Sequence, residues 1–218
     1  MARVHSPVMA TRFLTPAVTT RLRELHQEAT DEFARFRDSE DKHLDEMYLA
    51  VPYDTGMFLH ITAKAMRAEK ILEVGSSKGL STLWLAGALK EQGRGKLIGT
   101  ELIEAKWQHA NRLLEEFGLT DYAEIRLGDA FEVIPKLQGP YDLAFLDAWK
   151  PDYLRLYQTF KPLLRHGGLV IADNMISAHE RTREFKGYLD DSVQVDTVTL
   201  PIGSGEEYCY IFESGNAG

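Results

Sequence analysis

Residues 71–79 read Ile71-Leu72-Glu73-Val74-Gly75-Ser76-Ser77-Lys78-Gly79, and a helical pattern from Leu80 follows at once. The apolar run is short enough for a buried strand, and Gly75 closes it. Strand, glycine turn and helix in direct succession open a βαβ unit. The alternation continues downstream. Residues 96–100, 123–127, 141–146 and 169–172 read as strands, and 80–90, 104–117, 131–137, 151–164 and 179–190 as helices. Residues 193–200 and 208–212 close the chain as two strands joined across Pro201-Ile202-Gly203-Ser204-Gly205. Near-continuous apolar strands with helical crossovers predict an α/β fold, a doubly wound, Rossmann-like sheet with helices on both faces. That sheet has seven strands, mostly parallel, and the final hairpin makes the last strand antiparallel.

Upstream the pattern is purely helical. Pro16 suits a first helical turn, and Val18, Leu22, Leu25, Ala29 and Phe33 recur at helical spacing, so 16–36 reads as a helix. Asp38-Ser39-Glu40-Asp41 interrupts it. A short helix over 42–50, a turn over 52–55 and a helix over 56–68 follow, and 1–15 reads as a loose arm. The expected organisation is a helical arm or cap over 1–50 and one α/β domain over 51–218.

Composition bounds the function. The chain has 218 residues, 44% hydrophobic and 27% charged, the mix of a globular domain. Its longest apolar runs, such as 143–146, fall far short of the roughly 20 residues that a membrane helix needs. No apolar block marks the first 20 residues as a secretory signal, so a cytoplasmic location is the expectation. A net charge of −8 argues against broad phosphate contact with nucleic acid. The single cysteine, Cys209, excludes a disulfide within the chain and a cysteine-based zinc site.

In open α/β sheets ligands sit beyond the carboxyl ends of the strands. Here those ends carry acids: Glu73, Glu101, Asp129, Asp147 and Asp173. The glycines of Gly75-Ser-Ser-Lys-Gly79 let a ligand approach the backbone, although the stretch matches neither G-x-G-x-x-G nor a Walker A loop. Glu101 lies 22 residues beyond Gly79 (101 minus 79), where a carboxylate can accept hydrogen bonds from both hydroxyls of a ribose. Glycine turn and acid together favour an adenosine-type ligand. Asp129-Ala130 stands where an adenine amino group could be met, and Asp129 reads equally as a helix N-cap.

Asp147 and Asp173-Asn174 end successive strands one helix apart. Neighbouring strands lie about 4.8 Å apart, so these side chains would share one space. Two carboxylates that close repel unless a proton or cation lies between them. Oxygen donors alone suit a hard divalent ion, Mg²⁺ above all, with Ca²⁺ or Mn²⁺ as alternatives. The competing reading makes the two acids separate caps of the following helices. Lys150, three residues past Asp147, would be a proton acceptor beside such an ion and otherwise a surface lysine.

On these residues the chain resembles the class I, metal-dependent, S-adenosylmethionine (AdoMet) O-methyltransferases, the group of catechol O-methyltransferase and caffeoyl-CoA O-methyltransferase. The resemblance runs from about Val51 to Phe212. It rests on the stretch 71–82 together with Gly99-Thr-Glu101, Gly128-Asp-Ala130, 141–150, 168–174 and 200–205, in that order and spacing. It implies that Glu73, Gly75, Ser76 and Ser81 line the methionine end of AdoMet, Glu101 holds the ribose, and Asp129 and Ala130 meet the adenine. It also implies cofactor contacts from Val51, Asp147 and Trp149, a metal held by Asp147, Asp173 and Asn174, and Lys150 as the base. The form Asp147-Ala-Trp-Lys150 is closer to the catechol enzymes. Lys78 departs from the family's small or hydroxyl residue, and 1–50 matches nothing closely.

The expected function is therefore metal-assisted methylation of a hydroxyl on a catechol-like small molecule, by a homodimer without nucleic-acid or membrane partners. Three alternatives stand beside it. One is methylation of a hydroxylated uridine in tRNA, to which the positive stretch Arg181, Arg183 and Lys186 could contribute. Another is a nicotinamide-dependent oxidoreductase, and the third is a non-catalytic protein that binds AdoMet or a nucleotide.

Overall fold

The computed structural model of the chain describes residues 12–37 and 50–212. Its strands are β1 (Lys70–Val74), β2 (Lys96–Glu101), β3 (Ala123–Leu127), β4 (Tyr141–Leu146), β5 (Leu164–Ala172), β6 (Val195–Leu200) and β7 (Glu206–Ile211). The helices are α1 (Pro16–Arg37), α2 (Tyr53–Ala65), α3 (Leu80–Gln92), α4 (Glu104–Glu116), α5 (Ala130–Val133), α6 (Tyr153–Phe160) and α7 (His179–Asp190). The short helix expected over 42–50 lies outside the described residues, apart from Ala50.

The strands form one sheet in the order β3-β2-β1-β4-β5-β7-β6. The five strands from β3 to β5 run parallel, and β7 pairs antiparallel with both β5 and β6. The chain winds outward from β1 through β2 to β3, then returns to place β4 on the other side of β1. The carboxyl ends of β1 and β4 are therefore the point where the winding reverses, the place where such sheets open a ligand crevice.

Each face of the sheet carries a core. On one, Leu22, Leu25 and Ala29 of α1 pack with α2, α3 and Leu113 and Leu114 of α4. Helix α3 has no polar stripe because it is buried nearly all round, under α1 and α2. On the other face, Tyr153, Leu156, Tyr157 and Phe160 present one side of α6 at helical spacing, next to Phe185 and Leu189 of α7.

Some boundaries differ from expectation. Helix α2 begins three residues earlier than expected, at Tyr53 after Pro52, whose fixed φ suits the position just before a first turn. The helix expected over 151–164 is a short α6 between two 3-10 turns, 150–152 and 161–163, each with a proline in its first turn. Strand β5 starts at Leu164, since its first residue already pairs with Tyr141 of β4. Strand β6 starts at Val195, opposite the last residue of β7.

Helix α1 is tied down by polar contacts as well. The indole of the fully buried Trp84 donates to His26 Nε2 at 3.2 Å, and Tyr53 stands edge-on to Trp84 with ring centroids 5.0 Å apart. His26 also meets the backbone of Val51. Lys78 reaches Glu32 of α1 at 2.8 Å. That contact gives the lysine of the glycine turn a structural task.

Two predictions arise here. Gly75 has φ +93°, and a Cβ on it would lie 2.4 Å from the Asp147 carbonyl oxygen. Gly75→Ala should therefore lower stability by about 2–4 kcal/mol in urea denaturation, and an unchanged midpoint would contradict the close approach. Burial pushes the His26 pKa down to about 4, against a usual value near 6.5. The stability held by its neutral ring is complete above about pH 6.5 and is lost as pH falls toward 4. His26→Gln should flatten that part of the stability–pH curve, and an identical slope in both proteins would refute the assignment.

Candidate active site

The turn after β1 is shaped by carboxylates. Glu73 is fully buried, and its Oε2 accepts from Ser76 Oγ and Thr82 Oγ1, both at 2.5 Å. Burial raises the Glu73 pKa, and the nearby Asp147 raises it further. Its Oε1 is buried without a partner, so an acceptor is left over at the crevice. Glu101 is 7% exposed, and each of its oxygens already holds a backbone N–H, Oε2 that of Ser77 and Oε1 that of Ile103, both at 2.8 Å. It fixes the glycine turn against the end of β2 and keeps lone pairs for a diol. Ser77 itself sits at φ +49°, a strained conformation for a side-chain-bearing residue, held by that hydrogen bond.

The flanking residues divide. Asp129 is exposed and caps α5, accepting from the Phe131 N–H at 2.8 Å, so the capping reading holds for one of its oxygens. Ala130 follows it, half-buried, at the start of α5. Val51 is 3% exposed and its side chain belongs to the first core, so only backbone is offered there. Trp149 is 57% exposed, and the Arg181 guanidinium carbon lies 4.3 Å from its ring centroid, a cation–π contact at the lip of the crevice.

The carboxyl ends of β4 and β5 bring the acids together. Leu146 pairs with Ala172 in register, so the next residues, Asp147 and Asp173, stand at one level. Asp173 is 2% exposed, its Oδ1 accepts from the Asn174 N–H at 2.5 Å, and its carbonyl accepts from the Tyr153 hydroxyl at 3.1 Å. Burial, then Asp147, pushes the Asp173 pKa up to about 7. Asn174 adopts φ +66°, where asparagine is tolerated, and its amide nitrogen donates to Ser177 Oγ at 3.3 Å. Lys150 Nζ lies 2.8 Å from Asp147 Oδ1.

Residues that the sequence did not single out join this cluster from behind. Glu206, the first residue of β7, is fully buried, and its Oε1 accepts from Thr55 Oγ1 of α2 at 2.9 Å. Burial, then Asp173, pushes its pKa up to about 10. The available signal was a pair of acids directly after Gly205, opening a strand that continues with Cys209 and Ile211 in the core. The loop after β5 is pinned to the same hairpin, since Met175 N–H donates to the Gly205 carbonyl and Ser177 N–H to that of Ser204, both at 2.9 Å.

One buried and one half-buried carboxylate and an amide oxygen, with no sulfur or imidazole, fit a hard divalent cation. At about 4.8 Å the two charges would repel by about 3 kcal/mol at an effective dielectric near 20, and a cation would remove that cost. Among the described residues no three Asp, Glu, His or Cys side chains are arranged around one point, so the amide of Asn174 is needed to complete a set of three. Among those residues, too, no helix is long and apolar enough to cross a membrane.

Residues 72–175 match a family described as a methyltransferase domain. The chain is 34% identical over 176 residues to a catechol O-methyltransferase of Niastella koreensis, covering 73% of this chain and 79% of that protein. It is 26% identical over 179 residues to caffeoyl-CoA O-methyltransferase 1 of Eucalyptus globulus, covering 72% of each. Among solved structures, the O-methyltransferase TomG of Streptomyces achromogenes, in complex with AdoMet, superposes with a TM-score of 0.73 at 26% identity, over 87% of this chain and 90% of that one. With the catechol enzyme's likeness spread over most of both chains and the same sheet architecture beneath it, this chain belongs to the class I AdoMet-dependent O-methyltransferases.

Proposed function

We propose that the enzyme methylates one hydroxyl of a catechol-like, vicinal dihydroxy aromatic small molecule, with a divalent ion, Mg²⁺ by preference, held by Asp147, Asp173 and Asn174. The observation that carries this reading is the level pairing of Asp147 and Asp173 on adjacent strands, with Lys150 Nζ 2.8 Å from Asp147. When bound, AdoMet supplies a methyl group on a sulfonium, and a hard ion acidifies and orients a coordinated diol.

The chain's own residues supply position and proton handling. Glu73, Gly75, Ser76 and Ser81 form the turn for the methionine end, where the partnerless Glu73 Oε1 is an acceptor for its ammonium. Glu101 accepts from the ribose hydroxyls with the lone pairs it does not spend on Ser77 and Ile103. Asp129 and Ala130 flank the adenine, and Trp149 borders the crevice. Lys150, once it has released its own proton to solvent, takes the proton of the attacking hydroxyl at Nζ. Holding acceptor oxygen and methyl carbon in line contributes on the order of 7–11 kcal/mol to the barrier reduction.

The surface favours a small acceptor over tRNA. Of the positive stretch on α7, Arg183 pairs with Glu180 and Lys186 with Asp190, and Arg181 lies over Trp149. Little unpaired positive charge is left for a phosphate backbone.

Two sets of measurements test the proposal. Methylation of a simple catechol should stop in excess EDTA and return with Mg²⁺, and Asp147→Ala should lose both activity and metal binding; full turnover in EDTA would remove the ion from the reaction. Lys150→Ala should lower kcat by about 10²–10⁴-fold with AdoMet affinity little changed. Glu101→Ala should instead raise the AdoMet Kd tenfold or more, and the reverse pattern would exchange the two roles.

A further inference from the structure

The antiparallel register of β5 and β7 pairs Ala172 with Glu207, so one step further places Asp173 opposite Glu206. The parallel register of β4 and β5 places Asp147 beside Asp173. Three neighbouring strands thus carry Asp147, Asp173 and Glu206 in one row. Like charges directly opposite one another across strands are destabilising, and this row is buried at two of its three positions.

Glu206 is not explained by its local hydrogen bonds. Thr55 Oγ1 satisfies Oε1, Oε2 is reached by no N–H or hydroxyl donor, and the group that the carboxyl meets is Asp173. Gly203 of the hairpin packs directly on Thr55, because a Cβ there would lie 2.1 Å from Thr55 Oγ1. Helix α2 and the β6–β7 hairpin therefore hold the Glu206 carboxyl against Asp173.

We infer that Glu206 is a positioning residue for ion binding: it backs Asp173 and adds a third carboxylate to the field around the ion, without standing among the direct ligands. This inference rests on the ion site proposed above. The crevice then draws on the hairpin as well as on the strand ends that carry the ligands.

The test is Mn²⁺ binding followed by electron paramagnetic resonance on the full chain, with AdoMet affinity and thermal melting measured alongside. Glu206→Gln should weaken Mn²⁺ binding tenfold or more, leave the AdoMet Kd within about twofold, and melt no lower than the wild type without metal. The rise in Tm on adding Mn²⁺ should shrink. In an Asp173→Asn background Glu206→Gln should add little further loss. Glu206→Leu, which fills a similar volume, should give the same weakening and stands in if the amide disturbs the fold. Equal Mn²⁺ affinity in wild type and variant overturns this role alone, as does a lower metal-free Tm with an unchanged Mn²⁺-induced rise. A wild-type chain that binds no Mn²⁺ overturns the ion site itself, and this role with it.

Discussion

The alignment of β4 with β5 forces two carboxylates to one level at the edge of a buried sheet, and much of the surrounding structure answers that constraint. Lys150 turns back to pair with Asp147. Tyr153, fully buried at the start of α6, spends its hydroxyl on the Asp173 carbonyl and so fixes the backbone that carries the acid. The loop after β5 is bolted to the β6–β7 hairpin by backbone hydrogen bonds. A protein optimised for stability would not set a buried acid beside a second one, because desolvation raises the cost of a charge. Their retention fits the proposed use of this edge for an ion and its substrate.

The glycine turn obeys a different economy. Its carboxylates hold the scaffold and, in the function proposed, also meet the ligand. Glu101 ties a backbone N–H of the turn, that of Ser77, to that of Ile103 beyond β2, and Glu73 gathers one hydroxyl from the turn and one from the start of α3. Both are nearly or fully buried, so the turn has its shape before any ligand arrives. Such preorganisation lowers the ordering cost of binding. Helix α1 supports the arrangement from outside, through Lys78 to Glu32 and through Trp84 to His26.

Much of the fold was legible because its signals are local. Apolar runs of five or six residues closed by glycine, with helical spacing between them, identify strands and crossovers without reference to anything distant. The same holds for the acids at the strand ends, whose positions relative to the strands are counted along the chain. Boundaries failed where pairing decided them. Leu164 is a strand residue because Tyr141 lies beside it, and the proline-bearing turns 150–152 and 161–163 shorten α6 to Tyr153–Phe160. Asp129 shows how one residue type carries two readings: its cap is real, and a cap uses only one of its two oxygens.

By itself the sequence determined the α/β class, the glycine turn, and the places of Asp147, Lys150, Asp173 and Asn174 just past their strands, since these follow from spacing within single strand–loop–helix units. Only tertiary structure decided that Glu206 and Thr55 belong to the same crevice. Their chain positions are 151 residues apart, and no periodicity links them. The insertion of β7 between β5 and β6 sets Glu206 opposite Asp173, and the packing of α2 against that hairpin brings Thr55 to it. Long-range pairing of this kind depends on which edges meet when the whole sheet closes, a property that no local stretch of residues carries.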